Sequence, residues 1–313
     1  MRLNRREFLA WSARSLVALG LIRAADGLAQ AVSVSAATLP TRPLGRTGHA
    51  VTLMSLGGEG VLRSSGRMKE AVPVIRRALD LGINYFDTAP AYQQSQDYLG
   101  EGLGRDRGRI FLASKTHDRS RDGSLRLLED SLKRLRTDHL DLWQLHDLRG
   151  REDLDQIFSD DGAIHALERA KTQRMVRFFG ITGHTDPQVL VEAARRYPFD
   201  TALVAMNVAD RVRNSFIEQF LPVAQQREIG VIGMKVMARG LLLQKPAGLT
   251  PAEAIGYVLS QPVSTVVVGC STPREVEQDV AAVSDFQRLA PERLAELEKR
   301  VRPIANQFCF YKV

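Results

Sequence analysis

Residues 82–92, Gly82-Ile83-Asn84-Tyr85-Phe86-Asp87-Thr88-Ala89-Pro90-Ala91-Tyr92, read as a short buried strand running into a loop. Isoleucine, tyrosine and phenylalanine suit a pleated segment, and Thr88 and Pro90 end it. The strand closes on a carboxylate, Asp87, and the loop then presents a phenol, Tyr92. Two further apolar runs end in the same way. Residues 110–115 close on Lys115, and residues 140–146 close on His146. If these strands are parallel neighbours in a barrel, all four side chains meet at the C-terminal mouth, where barrel active sites lie. Asp87, Tyr92, Lys115 and His146 form an acid–base set rather than a packing set. Taken singly, each also has a plain structural reading: a helix cap, a rim aromatic, a solvated strand end and an interior histidine.

Outward from this stretch the chain alternates apolar β-rich runs with helix-period segments. Strand-like runs occupy 51–56, 83–87, 110–115, 140–146, 176–182, 201–207, 230–237 and 264–270. Helix-like segments occupy 68–81, 96–103, 124–135, 163–173, 187–197, 216–227, 251–261 and 273–283, with a final helix at 291–301. Runs such as Val266-Val267-Val268 are continuously apolar, as strands buried on both faces are. Eight strand–helix units in this length predict an α/β fold of the (β/α)8 TIM-barrel type. A doubly wound open sheet is the alternative, but no Gly-x-Gly-x-x-Gly follows the first strand. Leu56-Gly57-Gly58-Glu59-Gly60 is glycine-rich with a different spacing. The run 51–56 reads either as an extra strand or as the barrel's first.

The chain has 313 residues, a formal charge of +7 and a sequence pI near 9.6. The basic residues are interspersed with acids rather than gathered in stripes, which argues against a nucleic-acid partner. Cys270 and Cys309 lie far apart without ligand spacing, so no cysteine-built metal site is expected. Two buried free thiols is the preferred reading, and a single disulfide stays open.

Residues 1–31 read as an export signal. Asn4-Arg5-Arg6-Glu7-Phe8-Leu9 resembles the twin-arginine motif, an apolar stretch follows at 16–22, and Ala29-Gln30-Ala31 supplies small residues for cleavage. Arg14 and Arg23 interrupt the apolar region, so a stable membrane span is not expected. Without residues 1–31 the formal charge falls from +7 to +4. The reading implies export through the twin-arginine machinery, a periplasmic location and one folded domain over 32–313. Because that route carries folded proteins, a cofactor could be loaded before export.

Over residues 41–304 the chain resembles the aldo-keto reductase family. Arg42-Pro43-Leu44-Gly45-Arg46-Thr47-Gly48 is similar to its N-terminal hairpin, the 82–92 stretch to its best-known signature, and Leu99-Gly100-Glu101-Gly102-Leu103 to the continuation. The resemblance implies hydride transfer between a nicotinamide cofactor and a carbonyl or alcohol substrate: an aldehyde, ketone or sugar. It gives Tyr92 the role of proton donor, with Lys115 lowering its pKa, Asp87 pairing Lys115, and His146 orienting the carbonyl oxygen. It places Thr182 and Gly183 at the nicotinamide carboxamide and Met234 on the ring face. Lys235 and Gly240 fall in a loop over the pyrophosphate, and Gly57 and Gly58 in the glycine-rich turn after the first strand. Gly269, Ser271, Arg274 and Gln278 fall around the adenosine phosphate. Arg274 as a partner for a 2′-phosphate favours NADP(H) over NAD(H).

This chain departs from the family pattern at three kinds of position. Gly183 lacks the family's asparagine amide, Leu203 stands where glutamine is usual, and Glu275 stands at a usually basic or glutamine position. A non-catalytic cofactor-sensing or partner-binding protein on the same barrel is therefore the competing reading. A barrel hydrolase or isomerase is a weaker third. Substrate choice is expected from the loops at 118–123, 148–162 and 211–214, whose polar content suits a hydrophilic ligand.

Overall fold

The computed structural model describes residues 39–312, so the export signal read at 1–31 lies outside the described residues. Two short strands, β1 (Thr41–Pro43) and β2 (Ala50–Thr52), pair antiparallel as a hairpin, with Arg42 opposite Val51. Eight parallel strands then close a barrel: β3 (Met54–Gly57), β4 (Tyr85–Asp87), β5 (Phe111–Thr116), β6 (Leu140–Leu145), β7 (Val176–Gly183), β8 (Thr201–Ala205), β9 (Gly230–Met234) and β10 (Thr265–Val268). β10 pairs with β3 through Val266 and Met54, and this pairing completes the ring. The fold is the expected (β/α)8 barrel, and the open sheet is excluded.

The run 51–56 serves both of the roles left open by its sequence. Its first residues belong to the hairpin and its last to the barrel, with the break at Leu53. Hydrophobicity is continuous across the break, so no polar residue marks it. The turn is made by hydrogen bonds instead. The Thr52 hydroxyl donates to the Met54 carbonyl at 2.8 Å, and the Asn84 side chain accepts the Thr52 N–H at 2.8 Å.

The hairpin plugs the barrel floor. Leu44 and Val51 are fully buried and pack in one cluster with Tyr85, Phe111, Leu142, Leu203, Ile232 and Met234. Gly45 has φ +49°, and a Cβ there would stand 2.6 Å from the Glu228 carbonyl oxygen, so the approach of plug to barrel requires glycine. A second, larger cluster fills the layer between strands and helices. Burial of both strand faces explains the unbroken apolar runs.

Two helical expectations are corrected. The segment 216–227 is not one helix but two short ones, Phe216–Gln219 and Leu221–Gln226. Pro222 falls in the first turn of the second, and its missing N–H makes it a starting residue rather than an interior one. Within 148–162, read as loop, Arg151–Ile157 is helical. The final helix, Pro291–Val301, is present as expected. Beyond it the chain returns to the barrel. Lys312 is fully buried, paired with the Asp210 carboxylate, and donates to the carbonyls of Asp210, Arg213 and Asn214 at 3.0–3.1 Å. Cys270 and Cys309 are both buried and free. Among the described residues no helix is long and apolar enough to cross a membrane, and no cluster of ligating side chains could hold a metal ion.

Candidate active site

The parallel barrel brings Asp87, Lys115 and His146 to the ends of the adjacent strands β4, β5 and β6, with Tyr92 in the loop after β4. Lys115 and Asp87 are buried and form a close ion pair. The Lys115 ammonium also donates to the Thr88 carbonyl at 2.8 Å and lies 5.0 Å from the Tyr92 ring centroid. The rings of Tyr92 and His146 meet edge to face, with centroids 5.7 Å apart. The four side chains thus form one constellation at the mouth.

Gln144 belongs with them, although the sequence reading did not single it out. Its amide donates to the second Asp87 oxygen at 2.9 Å, so both carboxylate oxygens are held. Gln144 lies two residues before His146 on the same strand. The period-two alternation of a strand, which puts both on the barrel's inner face, was the available signal.

The electrostatics follow from burial. Loss of water pushes the Asp87 carboxyl up and the Lys115 ammonium down, while their pairing opposes both shifts. Burial, and then the nearby Lys115 charge, push His146 down to about 2, so its imidazole is neutral. A neutral imidazole carries one N–H donor and one acceptor. The Tyr92 phenol is held above its ordinary value, first by burial and then by the Asp87 and Glu59 carboxylates, with Arg63 opposing. The expected lowering by Lys115 is therefore outweighed, and the phenol stays above its ordinary value. The lysine charge is answered by Asp87 close beside it. The protein's own groups therefore keep Tyr92 protonated.

Beside Tyr92 opens a groove of about 970 Å³. Arg63 and Gln93 line its near end, and the Arg63 guanidinium sits 5.4 Å from the Tyr92 ring centroid. Lys235, Arg239 and Gly240 line its middle together with Gly269, which lies against Glu59, and Ser271, Glu275, Gln278 and Asp279 line the side beyond. In the near half the Glu59 carboxylate accepts from Lys235 at 2.9 Å and Arg63 at 2.9 Å, with Arg239 at 3.9 Å. Three cations gather on this one carboxylate, so the cluster carries a net positive charge. Glu59 and Arg63 were not identified from sequence, because the cluster joins the turn after β3 to a loop more than 170 residues away.

Matching residues cover 53–252, where the chain fits the model of the aldo/keto reductase family. The chain belongs to the aldo/keto reductase family. L-galactose dehydrogenase of Arabidopsis thaliana is 31% identical over 85% of this chain and 95% of its own. Among solved structures, an aldo-keto reductase of Bacillus halodurans in its holo form is 26% identical, covers 84% of this chain and 96% of its own, and has a TM-score of 0.71. An aldo/keto reductase of Klebsiella pneumoniae in complex with NADP and acetate superposes with a TM-score of 0.69 over 84% of this chain and 95% of its own; at 24% identity it attests the fold. This aldo/keto reductase is accordingly an NAD(P)-dependent oxidoreductase acting on carbonyl groups.

Of the cofactor residues expected in this reductase, Lys235, Gly240, Gly269, Ser271 and Gln278 line the groove. Arg274 does not; it is exposed on the first turn of helix Pro273–Ser284. Thr182 is fully buried, and its hydroxyl accepts the Asp147 N–H at 2.7 Å, so it fixes the β6 loop. Gly183 faces away from the mouth: a Cβ there would meet Leu190 side-chain carbons at 3.1 Å. Met234 closes the inner cluster at the mouth end, 7% exposed. Gly57 is buried at the end of β3, where a Cβ would meet Val267 at 2.6 Å.

Gly58 abuts the tetrad rather than the groove. A Cβ at Gly58 would lie 2.6 Å from Ser95 Oγ and 2.9 Å from a Tyr92 ring carbon. Gly58→Ala is therefore expected to displace the Tyr92 ring and cut kcat about 10- to 100-fold, with a modest change in Tm. Turnover within twofold of the natural chain would show that Tyr92 has room to move. A second expectation concerns Asp279. Burial pushes its carboxyl up to about 6, with Glu275 adding and the Cys270 thiol bond opposing. The folded chain then holds this proton more tightly than the unfolded chain does. The stability Asp279 contributes should fall as pH rises from about 4 through about 6. Melting curves across that interval should lose this slope in Asp279→Asn.

Proposed function

We propose that this chain interconverts a polyhydroxylated carbonyl compound and its alcohol, a small sugar or sugar lactol, with Tyr92 donating or receiving the proton at the reacting oxygen. A bound nicotinamide supplies or accepts the hydride. The protein's own residues do the rest. Tyr92, kept protonated by its surroundings, is the general acid in the reducing direction. The neutral His146 offers its N–H to the carbonyl oxygen. Lys115, anchored by Asp87 and Thr88, places fixed positive charge behind the oxyanion as it develops. The groove beside Tyr92 suits an elongated dinucleotide. Its size is that of a cofactor site, and Arg63, Lys235 and Arg239 form a cationic cluster matched to a diphosphate.

The substrate class rests on the polar rim around His146. Asp147 follows it in a left-handed backbone conformation, φ 55°, and its carboxylate accepts from His184 at 2.7 Å and from Arg149 at 2.7 Å. Arg119 donates to the His146 and Asp147 carbonyls at 2.9 and 3.2 Å. Such a rim can pair substrate hydroxyls, and the likeness to L-galactose dehydrogenase supports the same class. Steady-state kinetics with aldoses and with unsubstituted aldehydes of equal chain length test it. The aldoses should show kcat/KM at least about 100-fold higher, because hydroxyl-pairing groups left without partners are costly. Equal values would remove the sugar reading and leave the oxidoreductase intact.

We also propose that residues 1–31 direct export by the twin-arginine route, so that the enzyme acts in the periplasm after loading its cofactor in the cytoplasm. Support comes from Arg5-Arg6, the apolar stretch and Ala29-Gln30-Ala31. Cell fractionation of the natural chain and an Arg5→Lys/Arg6→Lys variant tests this, and equal periplasmic amounts would reject it. The NADP(H) expectation rested on Arg274, and the groove favours a different reading.

A further inference from the structure

Charge is unevenly divided along the cofactor groove. Its cations, Arg63, Lys235 and Arg239, all gather at the Glu59 end. The far end, where an adenosine would lie with the nicotinamide at Tyr92, is lined by Ser271, Glu275, Gln278 and Asp279. It therefore carries two carboxylates and no cation among its lining residues. Helix Pro273–Ser284 starts here, and its first amides would ordinarily welcome a phosphate. One of them, the Glu275 N–H, is already capped, and so is the Ser271 N–H just before the helix. The Ser271 N–H donates to the Glu275 carboxylate at 2.7 Å, and the Glu275 N–H donates to the Thr272 hydroxyl oxygen at 3.2 Å. A carboxylate of the protein thus occupies the Ser271 amide, which a phosphate could otherwise use. Arg274 is exposed and outside the lining, whereas its neighbour Glu275 faces the groove.

We propose that this end of the groove is built for a ribose 2′-hydroxyl and against a 2′-phosphate, so that the enzyme takes NAD(H) in preference to NADP(H), with Glu275 as the selecting residue. The inference rests on the oxidoreductase reading above and narrows it. A carboxylate accepts hydrogen bonds only, which matches a hydroxyl donor. A phosphate monoester carries nearly two negative charges at neutral pH and offers only acceptors, so it meets both repulsion and unpaired oxygens. Glu275 could retain its bond to Ser271 through one oxygen and receive the ribose hydroxyl on the other.

The test is titration calorimetry of the full chain with NADH and with NADPH, repeated with AMP and with adenosine 2′,5′-bisphosphate as half-site probes. NADH is expected to bind at least about ten-fold more tightly than NADPH, and AMP more tightly than the bisphosphate. Glu275→Gln keeps an oxygen for the Ser271 amide but removes the charge, and should narrow the ratio by strengthening NADPH. Arg274→Ala should leave the ratio unchanged. NADPH binding as tightly as NADH, an unaltered ratio in Glu275→Gln, or selective loss of NADPH affinity in Arg274→Ala would each overturn the proposal. Binding of neither dinucleotide would overturn it together with the cofactor assignment of the groove, an outcome distinct from a reversed preference.

Discussion

Tyr92→Phe is expected to lower kcat by about 10²–10⁴-fold while leaving the fold and dinucleotide affinity close to those of the natural chain. The phenol is the only hydroxyl of the tetrad, and its ring is held from three sides: by Lys115, by Arg63 and by the edge of His146. Phenylalanine preserves those ring contacts and removes the transferable proton alone. The loss should therefore appear in kcat rather than in KM, as when an interaction made in the transition state is deleted. Single-turnover hydride transfer, followed by nicotinamide absorbance, is the direct measurement. Retention of natural turnover would transfer the proton-donor role away from Tyr92 and sink the assignment of the tetrad.

Lys115→Met should abolish activity and also destabilise the fold by about 3–5 kcal/mol, since removing one member of a buried pair strands the other charge. Asp87 would keep one partner, the Gln144 amide, in place of a full ion pair. The sign of the pH effect follows from the direction of the Asp87 shift. Burial already raises this carboxyl with Lys115 present, and without the ammonium it rises further. The folded variant then binds the Asp87 proton more tightly than the unfolded chain. Its deficit should be fully expressed above the raised pKa and shrink as the pH is lowered toward the ordinary aspartate range. Chemical denaturation of both proteins at neutral and acid pH checks this. A deficit independent of pH would mean that packing, not a stranded charge, is what Lys115 supplies. A Lys115→Met/Asp87→Asn double variant should recover much of the stability and none of the activity.

The barrel and the tetrad were legible in the chain for the same reason. A parallel strand buried on both faces leaves an unbroken apolar run, and a charged or polar residue at its end marks the barrel's C-terminal mouth. Asp87, Lys115 and His146 each stand at such an end, and the closed sheet brings the three together. Local polymer rules also located the final helix, and the resemblance to the family located the hairpin. They failed where a boundary carries no chemical mark. The passage from hairpin to barrel at Leu53 lies inside continuous hydrophobicity, and the return of Lys312 to Asp210 joins residues about a hundred positions apart.

The groove beside Tyr92 shows the same division. Sequence supplied its ingredients, Lys235, Gly240, Gly269, Ser271 and Gln278, but not the Glu59 cluster, whose members meet only when β3 and the loop after β9 are brought side by side. Thr182 retained a hydroxyl that the fold spends on the Asp147 amide, and Gly183 faces a helix rather than the mouth. Arg274 and Glu275 are successive residues at the start of one helix, so their side chains diverge by about 100°. What the amino-acid order alone determined was the fold class and the chemical types at the strand ends, because both follow from periodicity along the chain. Which of two neighbouring charges faces the groove depends on how a helix is rotated against the barrel, and only the packing of tertiary structure sets that angle.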